Sequence, residues 1–366
     1  MKIVCNKQVL LDGINIGLKA IASKTTMPII LCFVIDVKDN IKLISNNMEM
    51  GIETIVDGQI IEPGTIAIDA RFFAEIIKKM PDDIITIETD YDFKATISCG
   101  KSKFNIIGKS AEEFPFLPKI EKNDAITISQ FSLKEIITQT VFSVSPDENN
   151  KIMTGELIEI NDDNLKIASL DGHRISIRKI KLLKSYEPVS VIVPGKALME
   201  LSRILSDDIE KNVSVYLTNK HILFEFDNTI LLSRLIEGKY YNLDVMISND
   251  YETRITINKN ELLGCIERAS LLIRENEKKP IVFNIGAENL EIKMITNSGT
   301  MNEDLSIVRE GSDVVIGFNP KFIMDVLRVV DDEYIDFYMM DYKSPGCIKD
   351  KDGNYIYLVL PINIAN

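Results

Sequence analysis

Histidine is almost missing from this chain. His173 and His221 are the only two in 366 residues, too few for most metal sites or catalytic triads built on imidazole. Cysteine is sparse and odd in number: Cys5, Cys32, Cys99, Cys265 and Cys347 are scattered without metal-type spacing. The expectation is reduced, mostly buried thiols in a cytoplasmic protein. Long apolar runs are absent as well. The longest, Met27 to Ile35, is far too short to span a bilayer, and the start Met1-Lys-Ile-Val-Cys5 lacks the apolar stretch of a signal peptide. No glycine-rich phosphate loop, dinucleotide fingerprint, His-Glu-x-x-His or Gly-x-Ser-x-Gly occurs. The candidate catalytic set, metal set and cofactor set are therefore all empty.

What is present is a repeat. Arg71-Phe-Phe-Ala-Glu75-Ile-Ile-Lys78-Lys-Met-Pro-Asp82-Asp83 recurs as Lys196, Glu200, Arg203 and Asp207-Asp208, and again as Lys321, Asp325, Arg328 and Asp331-Asp332. A base, an acid and a base at i, i+4 and i+7 share one helix face, and apolar residues fill the positions between them. Each copy follows a short apolar strand, at 65–68, 189–193 and 314–318, and precedes alternating ones. Helices are predicted at 7–22, 71–80, 132–143, 196–205, 260–274 and 320–330, with Asn6 or Lys7, Ser132, and Asn258 or Asn260 as starts. Buried or half-buried strands are predicted at 28–36, 41–45, 51–56, 155–160, 165–170 and 175–180, among others. The proline-marked run Lys109 to Asp124 and a linker near 248–252 divide the chain into domains at 1–122, 123–250 and 251–366. Each is an α+β unit with two helices on antiparallel sheets.

Charge is uneven. The formal net charge is −13, which disfavours contact with phosphate. The six predicted helices nevertheless sum to +5, leaving −18 on the rest. Either the helices line a basic surface inside an acidic shell, or they simply hold balanced ion pairs.

Acidic pairs at Asp82-Asp83, Asp162-Asp163, Asp207-Asp208 and Asp331-Asp332 suggest divalent-metal phosphoryl transfer as a rival reading. Three of the four fall at the same place after a repeated helix, which suits solvated turns better. Asp171-Gly-His-Arg174 is the one unusual local cluster, and a hairpin turn accounts for it. A repeat-built scaffold without a nucleic-acid role is the third reading.

Taken together, the triplication, Thr26-Met-Pro-Ile-Ile30, Asp171-Gly-His-Arg174, Val193-Pro-Gly-Lys196, Gly317-Phe-Asn319 and Leu360-Pro-Ile362 resemble the bacterial sliding clamp family, the beta subunits of DNA polymerase III. The resemblance covers the whole chain. It implies three tandem clamp domains, with two chains joined head to tail into a six-domain ring around double-stranded DNA. It also implies a non-catalytic subunit of a DNA-directed DNA polymerase complex. The basic residues placed inward would be Lys24, Arg71, Lys78, Lys196, Arg203, Lys321 and Arg328. A pocket for short apolar peptides of polymerases, the clamp loader and repair proteins would use Met153, Leu170, Gly172, His173, Arg174, Ile175, Tyr241, Val245 and Met246. Asn319, Phe322, Lys343, Pro345, Leu360, Pro361 and Ile362 would complete it. Phe104 and Ile106 would meet Leu271 and Leu272 of a second chain. The chain departs from the family pattern at Tyr240-Tyr-Asn-Leu243 (usually Phe-Pro-Asp-Tyr), at Asn363 (usually Arg) and at Lys343 (usually small and apolar).

Overall fold

In a computed structural model, residues 1–248, 250–274 and 279–364 are described. Six α-helices occur there: α1 Lys7–Gly17, α2 Ala70–Lys79, α3 Gln130–Thr138, α4 Gly195–Ser202, α5 Lys259–Ser270 and α6 Pro320–Leu327. All six expected helices are present; α2 has the expected length, shifted by one residue, and the other five are somewhat shorter than their periodicity suggests. Their starts have a common cause. A strand runs into a residue whose side chain accepts amide hydrogens of the first turn: Asn6 for α1, Asp69 for α2, Asn258 for α5 and Asn319 for α6. At α3 the acceptor is Ser129, whose Oγ lies 3.1 Å from the Ser132 amide. Ser132, expected to cap this helix, is the capped residue.

The repeats are three tandem α+β copies spread over two compact units. Residues 1–134 and 200–235 make the first, and 135–199 with 236–366 make the second. In the first unit a five-stranded antiparallel sheet runs Gln59–Glu62, Lys2–Asn6, Ile84–Thr89, Lys94–Cys99, Ser102–Ile107. Beside it an eight-stranded sheet runs Ile126–Ser129, Asn212–Leu217, His221–Phe226, Thr229–Arg234, Met50–Val56, Ile41–Asn46, Cys32–Val37, Gly64–Asp69. Its middle is a junction between repeats: Thr229–Arg234 pairs antiparallel with Met50–Val56, and the Thr54 and Thr229 hydroxyls meet at 2.8 Å in the interior. The second unit repeats the device. Its seven-stranded sheet joins Arg174–Pro194 to Tyr355–Val359, and a four-stranded sheet runs Gly299–Ser306, Asn289–Thr296, Ile281–Ile285, Val314–Phe318.

Alternating strands put one face into each core. In the first unit Leu10 and Ile14 of α1 pack with Phe73 and Ile77 of α2 over Ile3, Ile85 and Ile97. In the second, the rings of Phe283, Phe318 and Phe337 lie 5.3–6.2 Å apart beneath α5 and α6. All five cysteines are buried and unpaired, and among the described residues no helix is long and apolar enough to cross a membrane.

Two strand expectations are corrected. Pro28–Leu31 is a 3₁₀ turn, because proline fixes the first position and withholds an amide; the strand begins at Cys32. The strands expected at 155–160 and 165–170 are one, Gly155–Leu170, and those at 175–180 and 189–193 belong to Arg174–Pro194. The polar Asn161–Asn164 stretch reads as a break, yet it is absorbed as an irregularity in the ladder, with Asp162 at φ 58°.

One buried group sets a pH dependence. Glu156 is fully buried on Gly155–Leu170, with Oε2 2.9 Å from the Thr140 hydroxyl, which also lies 2.8 Å from the Ile136 carbonyl. The Thr140 hydroxyl, with its single hydrogen, is shared between the two acceptors and cannot fully offset the loss of water around a charged Glu156. Burial pushes this carboxyl well above its ordinary value. As pH rises past the ordinary carboxylate range, the unfolded chain sheds a proton that the folded chain retains, so stability falls with rising pH. The expected outcome is that Glu156→Gln raises the melting temperature more at pH 8 than at pH 4, read by calorimetry at both values.

Candidate functional site

The hairpin between Gly155–Leu170 and Arg174–Pro194 closes with Leu170 paired to Ile175. Asp171 shapes the turn. Its Oδ1 accepts the amides of His173 at 2.9 Å and Arg174 at 3.1 Å, and its own amide donates to the Arg174 carbonyl. Gly172 sits at φ 86°, where a side chain would be strained. His173 is thereby held exposed at the tip, and its carbonyl accepts the Leu360 amide at 2.8 Å.

Arg174 points the other way, into the protein, with its side chain 6% exposed. Its Nε donates to Asp171 Oδ2 at 3.0 Å, one terminal nitrogen to Asp325 Oδ2 at 2.6 Å, and the other to the Phe142 carbonyl at 2.5 Å. Two aromatic rings lie against the guanidinium, Phe322 at 4.4 Å and Phe142 at 5.3 Å. Phe322 is fixed in turn, because the Tyr357 hydroxyl donates to its carbonyl at 2.8 Å and the His173 ring stacks on it at 6.1 Å. Hairpin turn, α6 and the Val141–Ser143 turn thus meet on one guanidinium.

An apolar strip borders this network. Leu170 and Leu243 are buried, with Met153, Ile175 and Tyr241 packed half-buried against the same cluster. Asn150 donates to the Tyr241 hydroxyl at 2.9 Å, which sets that ring. Val245 at 76%, Met246 at 42% and Leu360 at 43% exposure present apolar surface to solvent. Pro361 and Ile362 follow Leu360, and the Ile362 amide donates to the Gly317 carbonyl, tying the tail beside Asn319, the cap of α6. Lys343 and Pro345 are exposed, in a turn where Asp341 accepts the amides of Lys343 and Ser344 at 2.7 Å. At the departures from the family pattern, Tyr240 is buried with its hydroxyl donating to the Gly155 carbonyl, while Asn363 is exposed.

All seven candidate basic residues are exposed. In the first unit Lys78 lies 4.0 Å from Glu75, and Arg203 pairs with Glu200, which also faces Lys19 at 3.7 Å. In the second, Lys196 pairs with Glu148 and Arg328 with Glu267. Lys24, Arg71 and Lys321 make no ion pair within 4 Å among the described residues. The base–acid–base face is not uniform: Glu75 is solvated, whereas Asp325 is turned inward onto Arg174. Asp325, Phe142 and Tyr357 are site residues that sequence reasoning missed; the only signal was that Asp325 stands in a repeated position. Of the residues expected at a second chain, Leu271 and Phe104 are exposed and Leu272 half-buried. Ile106 is buried in the first unit's own core, and its neighbour Ile107 is the one that faces outward. Asp207 of the acidic pairs binds Lys134 at 2.7 Å and Asp331 accepts from Gln139, as turn residues would.

Models of the DNA polymerase III beta subunit match three successive stretches: its N-terminal domain over residues 1–118, its central domain over 127–242 and its C-terminal domain over 245–363. The beta sliding clamp of Staphylococcus epidermidis is 34% identical over 374 aligned residues, covering 99% of both chains. Among solved structures, the DNA polymerase sliding clamp from Bacillus subtilis superposes with a TM-score of 0.94 at 34% identity. A chain described as a DNA polymerase III beta subunit from Eubacterium rectale gives 0.94 at 52% identity. Both cover 100% of each chain.

Removing one partner of the buried cation is the sharpest test of the geometry. Asp325→Ala should destabilise the protein by about 3 kcal/mol, since it strands a desolvated charge, and the shift will appear in the urea unfolding midpoint. An unchanged midpoint would mean that Asp171 and the Phe142 carbonyl suffice.

Proposed function

The chain belongs to the DNA polymerase III beta subunit family, the bacterial sliding clamps, and from that membership we propose how its parts divide the work. It is a non-catalytic processivity factor in DNA replication. In our reading, clamp domains at 1–122, 123–250 and 251–366 assemble with those of a second chain into a cytoplasmic ring that encircles duplex DNA. Lys24, Arg71, Lys78, Lys196, Arg203, Lys321 and Arg328 face the duplex. Phosphate contact of this kind is sequence-blind and weak when the bases are shared with neighbouring acids. The acidic remainder discourages DNA from binding elsewhere, and retention by topology lets the ring slide.

Two sheet edges that are unpaired among the described residues support ring closure. The five-stranded sheet ends on Ser102–Ile107 and the four-stranded sheet on Gly299–Ser306. Open edges invite pairing with another chain. One edge carries Lys101 and Lys103, the other Glu303 and Asp304, and exposed Phe104, Ile107 and Leu271 supply apolar surface. Head-to-tail pairing would join these edges between chains.

The observation that carries the partner reading is the exposed apolar strip of Val245, Met246 and Leu360 beside a rigidly held turn. A preformed apolar groove with a few fixed polar groups suits a short apolar peptide, and the polymerase, clamp loader and repair proteins are its proposed sources. Lys343 adds a positive charge at the rim, which favours peptides with an acidic flank.

Light scattering over a dilution series should give a stable species near twice the chain mass. Retention on closed circular DNA should fall when Lys196→Glu is combined with Arg203→Glu; a monomer at all concentrations with no retention would sink the ring. For the groove, His173→Ala with Leu360→Ala should weaken binding of a polymerase-tail peptide at least ~10-fold while leaving the melting temperature in place.

A further inference from the structure

The turn that organises the candidate site has a counterpart one repeat earlier. Ile41-Lys-Leu-Ile-Ser-Asn46 and Met50-Gly-Ile-Glu-Thr54 stand where Leu165-Lys-Ile-Ala-Ser-Leu170 and Arg174-Ile-Ser-Ile-Arg178 stand. Between them Asn47 does what Asp171 does: its Oδ1 accepts the amides of Glu49 and Met50 at 3.1 and 2.9 Å, and its amide donates to the Met50 carbonyl. Met48 sits at φ 78°, as Gly172 sits at 86°. The Arg234 amide donates to the Glu49 carbonyl at 2.9 Å, as the Leu360 amide does to that of His173. By strand register Arg234 occupies the place of Leu360, and His221, its cross-strand partner, the place of Pro345.

This frame also encloses space. A cleft of about 300 Å³ lies against the turn, floored by Leu232 and Gly51 and walled by Pro115 to Pro118. The wall is pinned by the Asn46 side chain, which donates to the Pro115 carbonyl at 2.6 Å. Leu117 is seated on Gly51, where a Cβ would come within 2.0 Å of it. Phe116, half exposed, and Met48 form an apolar lip. The opposite rim is cationic at the positions where the first site has Leu360 and Pro345. Arg234 is exposed with no ion pair within 4 Å among the described residues, and Lys220 adjoins His221. Glu49 is the one carboxylate in the lining.

We propose that this cleft is a second recognition site, which takes a short peptide carrying an apolar anchor followed by carboxylates. The apolar anchor lies against Phe116, Met48 and Leu232, and the carboxylates reach Arg234 and His221. Its volume, at the small end of the ~300–1,000 Å³ of ligand pockets, admits one or two side chains of a linear segment. The proposal borrows the peptide reading of the first groove, and the two are tested by separate reporters.

The chain contains no tryptophan, so Phe116→Trp places a lone fluorophore at the lip of this cleft and Met246→Trp places one at the first groove. The probe is the synthetic peptide Leu-Phe-Asp-Asp, with Leu-Phe-Asn-Asn and Leu-Phe-Lys-Lys as controls. Emission of the Phe116→Trp protein should saturate with the acidic probe and respond at least ~10-fold more weakly to either control. Adding Arg234→Glu should abolish the response, while His173→Ala with Leu360→Ala should leave it intact. Anisotropy of the dye-labelled acidic peptide on the chain without tryptophan should show the same dependence on Arg234. No saturation up to about 1 mM, equal binding of the controls, or indifference to Arg234→Glu would overturn the proposal. A silent Met246→Trp reporter beside a responsive Phe116→Trp one would remove the first reading and leave this one standing.

Discussion

The candidate site rests on the burial of one positive charge. Stripping water from a guanidinium is costly, and the cost is offset only when its nitrogens find acceptors. Arg174 meets it with two carboxylates, a main-chain carbonyl and two aromatic faces drawn from three separate segments. Because those contacts cannot be kept while the segments shift, the turn bearing His173 is held in register with α6 and with the tail at Leu360. If the surface beside it is the proposed peptide groove, its loops are already ordered, which would reduce the ordering entropy of binding.

Much of this fold is legible in the order of residues, because periodicity, caps and turn chemistry are local. The helices follow from apolar faces at 3.6 spacing, and the Asp171-Gly172 hairpin from the residues that tolerate its geometry. What escapes is whatever depends on partners far along the chain. Asn161–Asn164 looks like a break until the ladder on both sides carries it through. Asp325 reads as a surface acid like Glu75, and only the position of Arg174 turns it inward. Ile106 and Ile107 cannot be told apart without knowing which sheet face the helices cover.

The repeated helices show how a net-acidic chain can still present base where it is useful. Four of the seven exposed bases share their charge with a nearby acid, within their own helix, on a neighbouring helix or in a loop, which weakens each as an isolated site. Many weak, interchangeable contacts give a smooth energy surface along a polyanion, and salt screens them readily.

The junction in the eight-stranded sheet bears on how the chain is made. Met50–Val56 pairs on one side with Ile41–Asn46, but its other neighbour is Thr229–Arg234, roughly 170 residues later. During synthesis at ~5–20 residues per second, that edge waits about 10–35 s for its partner. Through that interval a nascent first repeat offers an open, largely apolar strand to any other chain nearby. The ribosome-bound protein is therefore at its most aggregation-prone well after its first helices have formed.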